Sequence, residues 1–217
     1  QRAFNSPLPD ILAALNARRP DIFYGYGSVI ANLFSYAHEH DLELHRPAVV
    51  RYASDALPPA ARRLLNEVYG VQVFSAYQSI ELFRTGFECE AHRGYHINSD
   101  LYPLRIIDEQ GEDCPPGVEG EIVGSNLVNR ATVLLNYRMG DLAARLDGPC
   151  PCGRRLPMLS FIVGRTVDDL YDTAGRRVYC SHVIGPIRAI SGVYQYQIVQ
   201  FALDHLPGAE NLPVLDD

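Results

Sequence analysis

Residues 58–79 read PPAARRLLNEVYGVQVFSAYQS and predict a helix that is followed at once by a strand. The helix opens on proline, which suits a first helical turn, and closes at Gly70, the residue type that most often ends a helix. The next run is rich in β-branched and aromatic residues, which favour strands. A helix and a strand joined by so short a link are typical of an α/β sheet.

The residues before this stretch also predict helices followed by a strand. Residues 6–20 have a Ser/Pro start, apolar residues at helical spacing and a proline stop, and they predict a helix. Residues 27–44 predict a second, amphipathic helix, and residues 46–54 predict a strand. Such alternation implies parallel crossover units, in which ligands gather at the carboxyl ends of the strands.

Beyond residue 86 the pattern changes. Residues 95–146 alternate apolar and polar positions between Gly, Pro and Asp turns, which predicts antiparallel strands or a distorted barrel. Past Gly164 the chain restarts with a short hairpin at 168–179 and a helix-like segment at 181–190. We therefore expect an α/β protein in which a parallel α/β sheet layer is joined to an antiparallel β subdomain.

Composition excludes several classes of partner and mechanism. The chain has 217 residues, a net charge of −7 and no long apolar run, so we expect neither a nucleic acid nor a membrane as a partner. No signal peptide is recognisable. All 19 basic side chains are arginine. A mechanism within this chain that needs a lysine, such as a Schiff base or a Walker-loop phosphate contact, is therefore excluded.

Cysteine usage indicates a metal site rather than a disulfide framework. The five cysteines are an odd number at uneven spacing, which is typical of a cytoplasmic protein. Cys150 and Cys152 lie one residue apart, and Gly153 after them lets the backbone turn under a zinc ion. A tetrahedral site needs two further ligands. We expect Cys114 and Cys180 to be ordinary buried thiols.

Three stretches of sequence occur in an order that resembles one enzyme superfamily. They are SAYQSIE at 75–81, GEIVGSNLVNRATVLLNYRMGDL at 120–142 and CPCGRRLPMLSFIVGRTVDDLY at 150–171. Together they resemble the adenylate-forming enzymes of the acyl-CoA synthetase class, and in particular the phenylacetate coenzyme A ligase group. The resemblance covers roughly residues 20–200. It implies boundaries at 1–86 (part of the α/β core of the AMP-binding domain), 87–164 (the β subdomain) and 165–217 (a hinge and the start of a small C-terminal lid domain).

The resemblance implies a site for ATP or AMP. Tyr77 would offer an aromatic face to adenine, and Asp141 would accept hydrogen bonds from the ribose hydroxyls. Glu81 would help to hold Mg²⁺ against the phosphates, because a hard cation prefers oxygen ligands. Arg165 would lie near the ribose and phosphate, and the hinge would fall at Asp168 or Asp169. The implied nucleotide-binding residues are Ser54, Asp55, Ala76, Tyr77, Ser79 and Asp141, and the implied catalytic residues are Glu81 and Arg165.

The resemblance also completes the metal site. Its members have a cysteine and a histidine upstream of the Cys-x-Cys turn, and Cys89 and His96 match them here. The interval between them is one residue shorter than expected, which leaves His92 as a rival for His96. A site of Cys89, His96, Cys150 and Cys152 would be structural, since four protein ligands leave no position for water.

Three departures from the family pattern bear on activity. Residues 1–25 contain nothing like the phosphate-binding loop, and the catalytic lysine of the lid is missing. We therefore expect the chain to be a portion of a larger enzyme. Ile80 stands where the family has a threonine, and it lacks the hydroxyl that would touch a phosphate oxygen. Ser79 could replace that hydroxyl only with a different backbone turn.

The expected function is that of an adenylate-forming ligase. It would activate a small acid, expected to be aromatic, with ATP and pass the acyl group to coenzyme A or another acceptor. Two alternatives stay open: a nucleotide-binding homologue without catalysis, and a zinc-stabilised interaction domain. The expected protein is cytoplasmic and could form a homodimer.

Overall fold

The computed structural model describes residues 6–166, 170–172, 174–178, 183, 186–187, 190 and 198–200. The helices are α1 (Leu8–Arg18), α2 (Gly27–Glu39) and α3 (Pro59–Arg63), and a π-helical turn, Leu64–Val68, continues α3. The strands are β1 (Ile22–Tyr26), β2 (Val49–Ala53), β3 (Gln72–Ser79), β4 (Phe83–Glu88), β5 (Tyr95–Ile97), β6 (Leu104–Ile107), β7 (Glu119–Asn126), β8 (Leu134–Leu146), β9 (Met158–Leu159), β10 (Gly164–Arg165), β11 (Leu170–Tyr171) and β12 (Arg177–Val178).

The first part of the chain is the predicted parallel layer. Strands β1, β2 and β3 pair in parallel and in sequence order. The helices bury their apolar sides against these strands, in a core that includes Ile30, Phe34, Val50 and Val73. The sequence prediction missed β1, and helix α2 ends five residues earlier than the pattern indicated, at Glu39.

The remaining strands continue the same sheet in antiparallel fashion. Within the described residues, ten strands form one sheet in the order β1-β2-β3-β4-β5-β9-β8-β7-β6, and β10 pairs with β8. Strands β11 and β12 form a separate antiparallel pair, which is the hairpin predicted after Gly164. The predicted fold class, an α/β sheet with parallel and antiparallel parts, is therefore confirmed.

The sheet is continuous across the proposed subdomain boundaries. Strand β4 runs through residue 86, and Arg165 still pairs with Asp141 of β8. The hinge aspartates, Cys180 and most of the proposed lid lie outside the described residues. Among the described residues, no helix combines the length and the apolar character needed to cross a bilayer.

Candidate functional site

Tyr77, Asp141 and Arg165 meet at the carboxyl end of β3. The Tyr77 hydroxyl donates a hydrogen bond of 2.9 Å to Asp141 Oδ2, and Arg165 Nε lies 3.1 Å from Asp141 Oδ1. These residues come from β3, β8 and β10, so the sheet brings together side chains that are 64 and 24 residues apart. Three of the predicted nucleotide-site residues therefore converge in space.

Burial sets the protonation of this group. It raises the pKa of Asp141, against the lowering effects of the Tyr77 hydrogen bond and the Arg165 charge. It also raises the pKa of Tyr77, and the Asp141 charge adds to that effect. A carboxylate oxygen has more than one acceptor direction. Asp141 therefore keeps capacity for further hydroxyl donors beside Tyr77 and Arg165.

Tyr77 meets the site through its hydroxyl rather than its ring face. The side chain is only 6% exposed, and its ring packs against Tyr95 with the two centroids 5.9 Å apart. Strand β3 pairs at this point with Gly86 of β4. An adenine could stack on Tyr77 only if one face of the ring were free. Tyr95 and the neighbouring core cover at least one of the two faces. The stacking role of Tyr77 remains a prediction.

The turn after β3 is held by hydrogen bonds that involve Ser79 and Glu81. Ser79 Oγ accepts a hydrogen bond from the backbone N–H of Leu82 at 3.0 Å, and the carbonyl of Glu81 accepts one from Asn126 Nδ2 at 2.8 Å. The Glu81 carboxylate contributes to raising the pKa of both Tyr77 and Asp141, so it belongs to the same electrostatic neighbourhood. Ile80 at the tip is 99% exposed.

The segment of Ser54 and Asp55 is anchored to the start of α2. The Asp55 carboxylate accepts hydrogen bonds from the backbone N–H groups of Gly27 and Ser28, and from the Ser28 hydroxyl. A carboxylate at this position satisfies free helix donors and suits the helix dipole. Ser54 has a positive φ of 78°. The resemblance implies that Ser54 and Asp55 bind the nucleotide, and this role stays a prediction.

Ala76 lies in the middle of the sheet, beside the turn. It is buried and pairs with Ala53 of β2 on one side and with Phe87 of β4 on the other. Its role in binding a nucleotide stays a prediction.

Cys89, His96, Cys150 and Cys152 form a second cluster. One ligand atom from each residue lies within 4.8 Å of all the others. Cys89 Sγ and Cys150 Sγ are 3.6 Å apart, and Cys152 Sγ is 3.3 Å from His96 Nε2. Three thiols and an imidazole at this spacing fit the donor set of a structural zinc site. Among the described residues, the buried His96 Nδ1 has no hydrogen-bond partner.

The structure distinguishes His96 from its rival His92. His96 is fully buried within the cluster, whereas His92 is half-exposed and its Nδ1 lies 2.8 Å from Glu88 Oε1. His92 also packs against Phe74, with ring centroids 5.3 Å apart. His92 is therefore occupied elsewhere, and His96 is the imidazole that the structure brings to the cysteines.

The thiols of the cluster are not equivalent. Burial raises the pKa of Cys89 to about 11. Partial burial acts to raise the pKa of Cys152, but Arg154 together with the thiols of Cys150 and Cys89 outweighs it and lowers that pKa to about 6. The Cys152 sulfur is therefore held as a thiolate more readily than the Cys89 sulfur. Cys114 is buried apart from the cluster, near the carbonyl of Glu119.

The sequence analysis missed a buried ionic network beside the cluster. The Glu88 side chain is completely buried and receives two hydrogen bonds from Arg62, one from the backbone N–H of Ser75 and a contact from His92. Burial acts to raise the pKa of Glu88, but Arg62, the backbone N–H of Ser75 and His92 together outweigh it and the pKa is lowered. No local pattern could have revealed this network, because Arg62 and Glu88 are 26 residues apart.

Curated proteins with similar sequences are phenylacetate-coenzyme A ligases. The enzyme of Thermus thermophilus is 35% identical over 145 residues, which cover 64% of this chain and 32% of that enzyme. The enzyme of Pseudomonas putida is 27% identical over 192 residues, covering 83% of this chain and 42% of its own length. The chain thus spans about a third to two fifths of these relatives. No family model matches it.

Solved structures with the same fold include CoA ligases. A 2-hydroxyisobutyryl-CoA ligase in complex with 2-HIB-AMP superposes with a TM-score of 0.75 at 23% identity, over 88% of this chain and 42% of that one. An anthranilate CoA ligase in complex with anthranoyl-AMP superposes with a TM-score of 0.62 at 19% identity, over 84% and 36% of the two chains. At these identities the similarity shows the fold. The chain is therefore similar in sequence to phenylacetate-coenzyme A ligases and has the fold of these CoA ligases, over part of their length.

Proposed function

We propose that the chain is part of an AMP-forming acid–thiol ligase. The observation that carries the proposal is the convergence of Tyr77, Asp141 and Arg165, with Glu81 in the same electrostatic neighbourhood. A buried carboxylate with an adjacent guanidinium suits a ligand that has hydroxyl donors beside a phosphate. The similar solved enzymes hold acyl-AMP compounds, which have this combination.

The proposed reaction has two halves. A carboxylate oxygen of the acid attacks the α-phosphorus of ATP, and pyrophosphate leaves with the bonding electrons. The thiol of coenzyme A then attacks the acyl carbonyl, loses its proton and releases AMP. No covalent intermediate with the protein is required. The acid is a small aromatic one in this proposal, because named relatives act on phenylacetate and anthranilate.

The chain's own residues bind and orient the nucleotide. Asp141 accepts hydrogen bonds from the ribose, a charge-assisted contact of about 1.5–3 kcal/mol. Arg165 balances the Asp141 charge in the structure. In this proposal it turns to the phosphate when a nucleotide binds. Fixed charges of this kind stabilise charge that develops during phosphoryl transfer. Glu81 would hold Mg²⁺, which supplies further positive charge at the phosphates when bound.

Zinc, localisation and assembly complete the proposal. The cluster of Cys89, His96, Cys150 and Cys152 would hold a structural zinc ion that joins two loops distant in sequence. The described cysteines are free thiols, which supports a cytoplasmic protein. A homodimer is proposed only as an assembly compatible with the exposed apolar residues of β1.

A second candidate is a homologue that binds nucleotide without forming an adenylate. It is favoured by Ile80, whose fully exposed aliphatic side chain offers no hydrogen bond to a phosphate. Ser79 Oγ accepts the N–H of Leu82 and is thereby held in the turn, while its own O–H is left as a donor. A third candidate, a zinc-stabilised interaction domain, would use only the cysteine cluster.

Calorimetric titration of AMP separates these candidates. The chain and an Asp113→Ala control, which removes an exposed carboxylate, should bind AMP alike, and Asp141→Ala should lose about tenfold or more in affinity, as expected for a charge-assisted contact. Absence of AMP binding by the unchanged chain would leave only the interaction domain. Pyrophosphate release by the full-length gene product with phenylacetate or anthranilate then separates the ligase from the non-catalytic homologue.

A further inference from the structure

We propose that Arg154 is a positioning residue that joins the two metal loops, residues 89–96 and 150–154, and sets them for a metal ion before it binds. The inference rests on the zinc site of the proposed function and assigns a role to a side chain that is not a ligand. It is drawn from an ion pair that one guanidinium makes across the two loops, and from its place two residues after a ligand cysteine.

The contact across the loops is a two-point ion pair. Arg154 Nη1 lies 3.1 Å from Glu90 Oε1 and 2.9 Å from Glu90 Oε2. Glu90 directly follows Cys89, and Arg154 comes two residues after Cys152. Since the pair is 64 residues apart in sequence, it ties together two segments that the chain does not connect locally. A further link, from Arg93 Nη1 to the carbonyl of Pro149, is longer at 3.4 Å.

The charge of Arg154 also acts on a ligand of the second loop. Arg154 comes two residues after Cys152, the one cluster residue that is only partly buried, and its charge attracts the Cys152 thiolate. A divalent ion with three thiolates and a neutral imidazole leaves a net charge of about −1 on the site. A fixed guanidinium beside the most exposed thiolate offsets that charge where water would otherwise compete. Arg154 therefore serves both the geometry and the charge of the site.

The same geometry predicts little effect of Arg154 on folding itself. The Arg154–Glu90 pair is exposed on both sides, and exposed pairs contribute little to the stability of a protein. Partners of metal ligands, in contrast, commonly change metal affinity by about 10–100-fold when removed. A positioning role thus predicts an effect on metal binding without an effect on unfolding of the metal-free chain.

The test is a metal titration of four proteins: the unchanged chain, Arg154→Met, Arg154→Lys and Arg155→Met. Cobalt(II) reports thiolate coordination through its sulfur-to-metal absorption, and competition with a chromogenic chelator gives zinc affinity. We expect Arg154→Met to weaken zinc about 10–100-fold and to speed its release. Arg154→Lys should recover part of the loss because it restores the charge without the two-point contact. Arg155→Met, which removes the neighbouring exposed arginine, should match the unchanged chain.

The outcomes separate this inference from the proposals beneath it. Equal zinc affinity for Arg154→Met and Arg155→Met overturns the positioning role and leaves the metal site standing. No thiolate–cobalt absorption in the unchanged chain overturns both, while AMP binding still decides the ligase proposal. Thermal unfolding of the metal-free proteins should be the same for all four. A loss of stability confined to metal-free Arg154→Met and Arg154→Lys would assign Arg154 to folding and also overturn the inference.

Discussion

Arg62 and Glu88 face each other in two parallel hydrogen bonds, both of 2.9 Å, which join α3 to the end of β4. The Glu88 side chain is completely buried. Glu88→Gln would leave the Arg62 guanidinium without its counter-charge, and breaking a buried pair in this way costs about 3–5 kcal/mol. We expect the free energy of unfolding in urea to fall by about that amount. The matched control Asp113→Asn, which breaks an exposed pair with Arg105, should change it by less than about 1 kcal/mol.

The same carboxylate gives a dependence on pH. The pKa of Glu88 in the folded chain lies below its ordinary value of 4.5. Its ionisation therefore stabilises the fold fully above about pH 4.5, and this contribution is lost as the pH falls through the folded pKa. The difference in stability between the unchanged chain and Glu88→Gln should shrink from about pH 7 toward about pH 3. A difference that stays constant over this range would contradict the assignment.

The ionisation of Asp141 has the opposite effect on stability. Because burial raises its pKa in the folded chain, its contribution to stability is fully present below its ordinary pKa of 3.8 and is lost as the pH rises through the folded value. Asp141→Asn should therefore melt at the same temperature as the unchanged chain, or higher, at about pH 7, although AMP binding falls. Differential scanning calorimetry from about pH 3 to about pH 7 measures this. A melting temperature clearly lower than that of the unchanged chain at neutral pH would show that the ionised form is stabilising.

Gly27 is required by a close approach rather than by its backbone angles. A Cβ at this position would lie 2.7 Å from the backbone of Ala56, in the segment whose Asp55 caps α2. We expect Gly27→Ala to lower the free energy of unfolding by about 1–3 kcal/mol through overpacking. Gly25→Ala is the matched control, since its Cβ would meet only the side chain of Ile30 at 3.7 Å. Equal losses for the two variants would argue against the close approach.

Removal of metal should destabilise the chain by way of the cysteine cluster. A ligand present at about 1,000 times its dissociation constant stabilises a fold by about 4 kcal/mol. Chelator should therefore lower the melting temperature of the zinc-loaded chain, and Cys150→Ser should melt at the low temperature with or without chelator. Cys114→Ser, which changes a buried thiol outside the cluster, should keep the response. If chelator still lowered the melting temperature of Cys150→Ser, the proposed metal site would be contradicted.

Local pattern was enough for much of the fold. Helix α3 with its π-helical turn and strand β3 fall where residues 58–79 predicted them, and Gly70 has the positive φ expected after a helix. Strand β1 was missed because it has only five residues and directly precedes α2. A sheet that continues through residue 86 could not be foreseen either, because strand pairing is set by contacts distant in sequence.

In the candidate site, too, some features followed from the sequence and others depended on packing. Residue order and family resemblance predicted that Asp141 lies beside Arg165, and the structure has this contact. They also predicted that the four residues of the cysteine cluster lie together, as they do in a separate place. They could not show that Tyr77 is buried against Tyr95, because the direction of a side chain depends on the register of the sheet. Nor could they show that Asp55 caps a helix 27 residues before it. Such facts arise from packing, which one sequence does not display.

Strand β8 has 13 residues, its pairing with β7, β9 and β10 fixes the register from Asp141 to Leu146, and Cys150 follows four residues after Leu146. A single inserted residue between Asp141 and Leu146 would reverse the side-chain alternation on one side of the insertion. Two inserted residues would restore the faces but displace the rest of the strand by about 7 Å, too far for Cys150 to meet Cys89. Relatives with both sites should therefore keep the spacing from the aspartate to the cysteine unchanged.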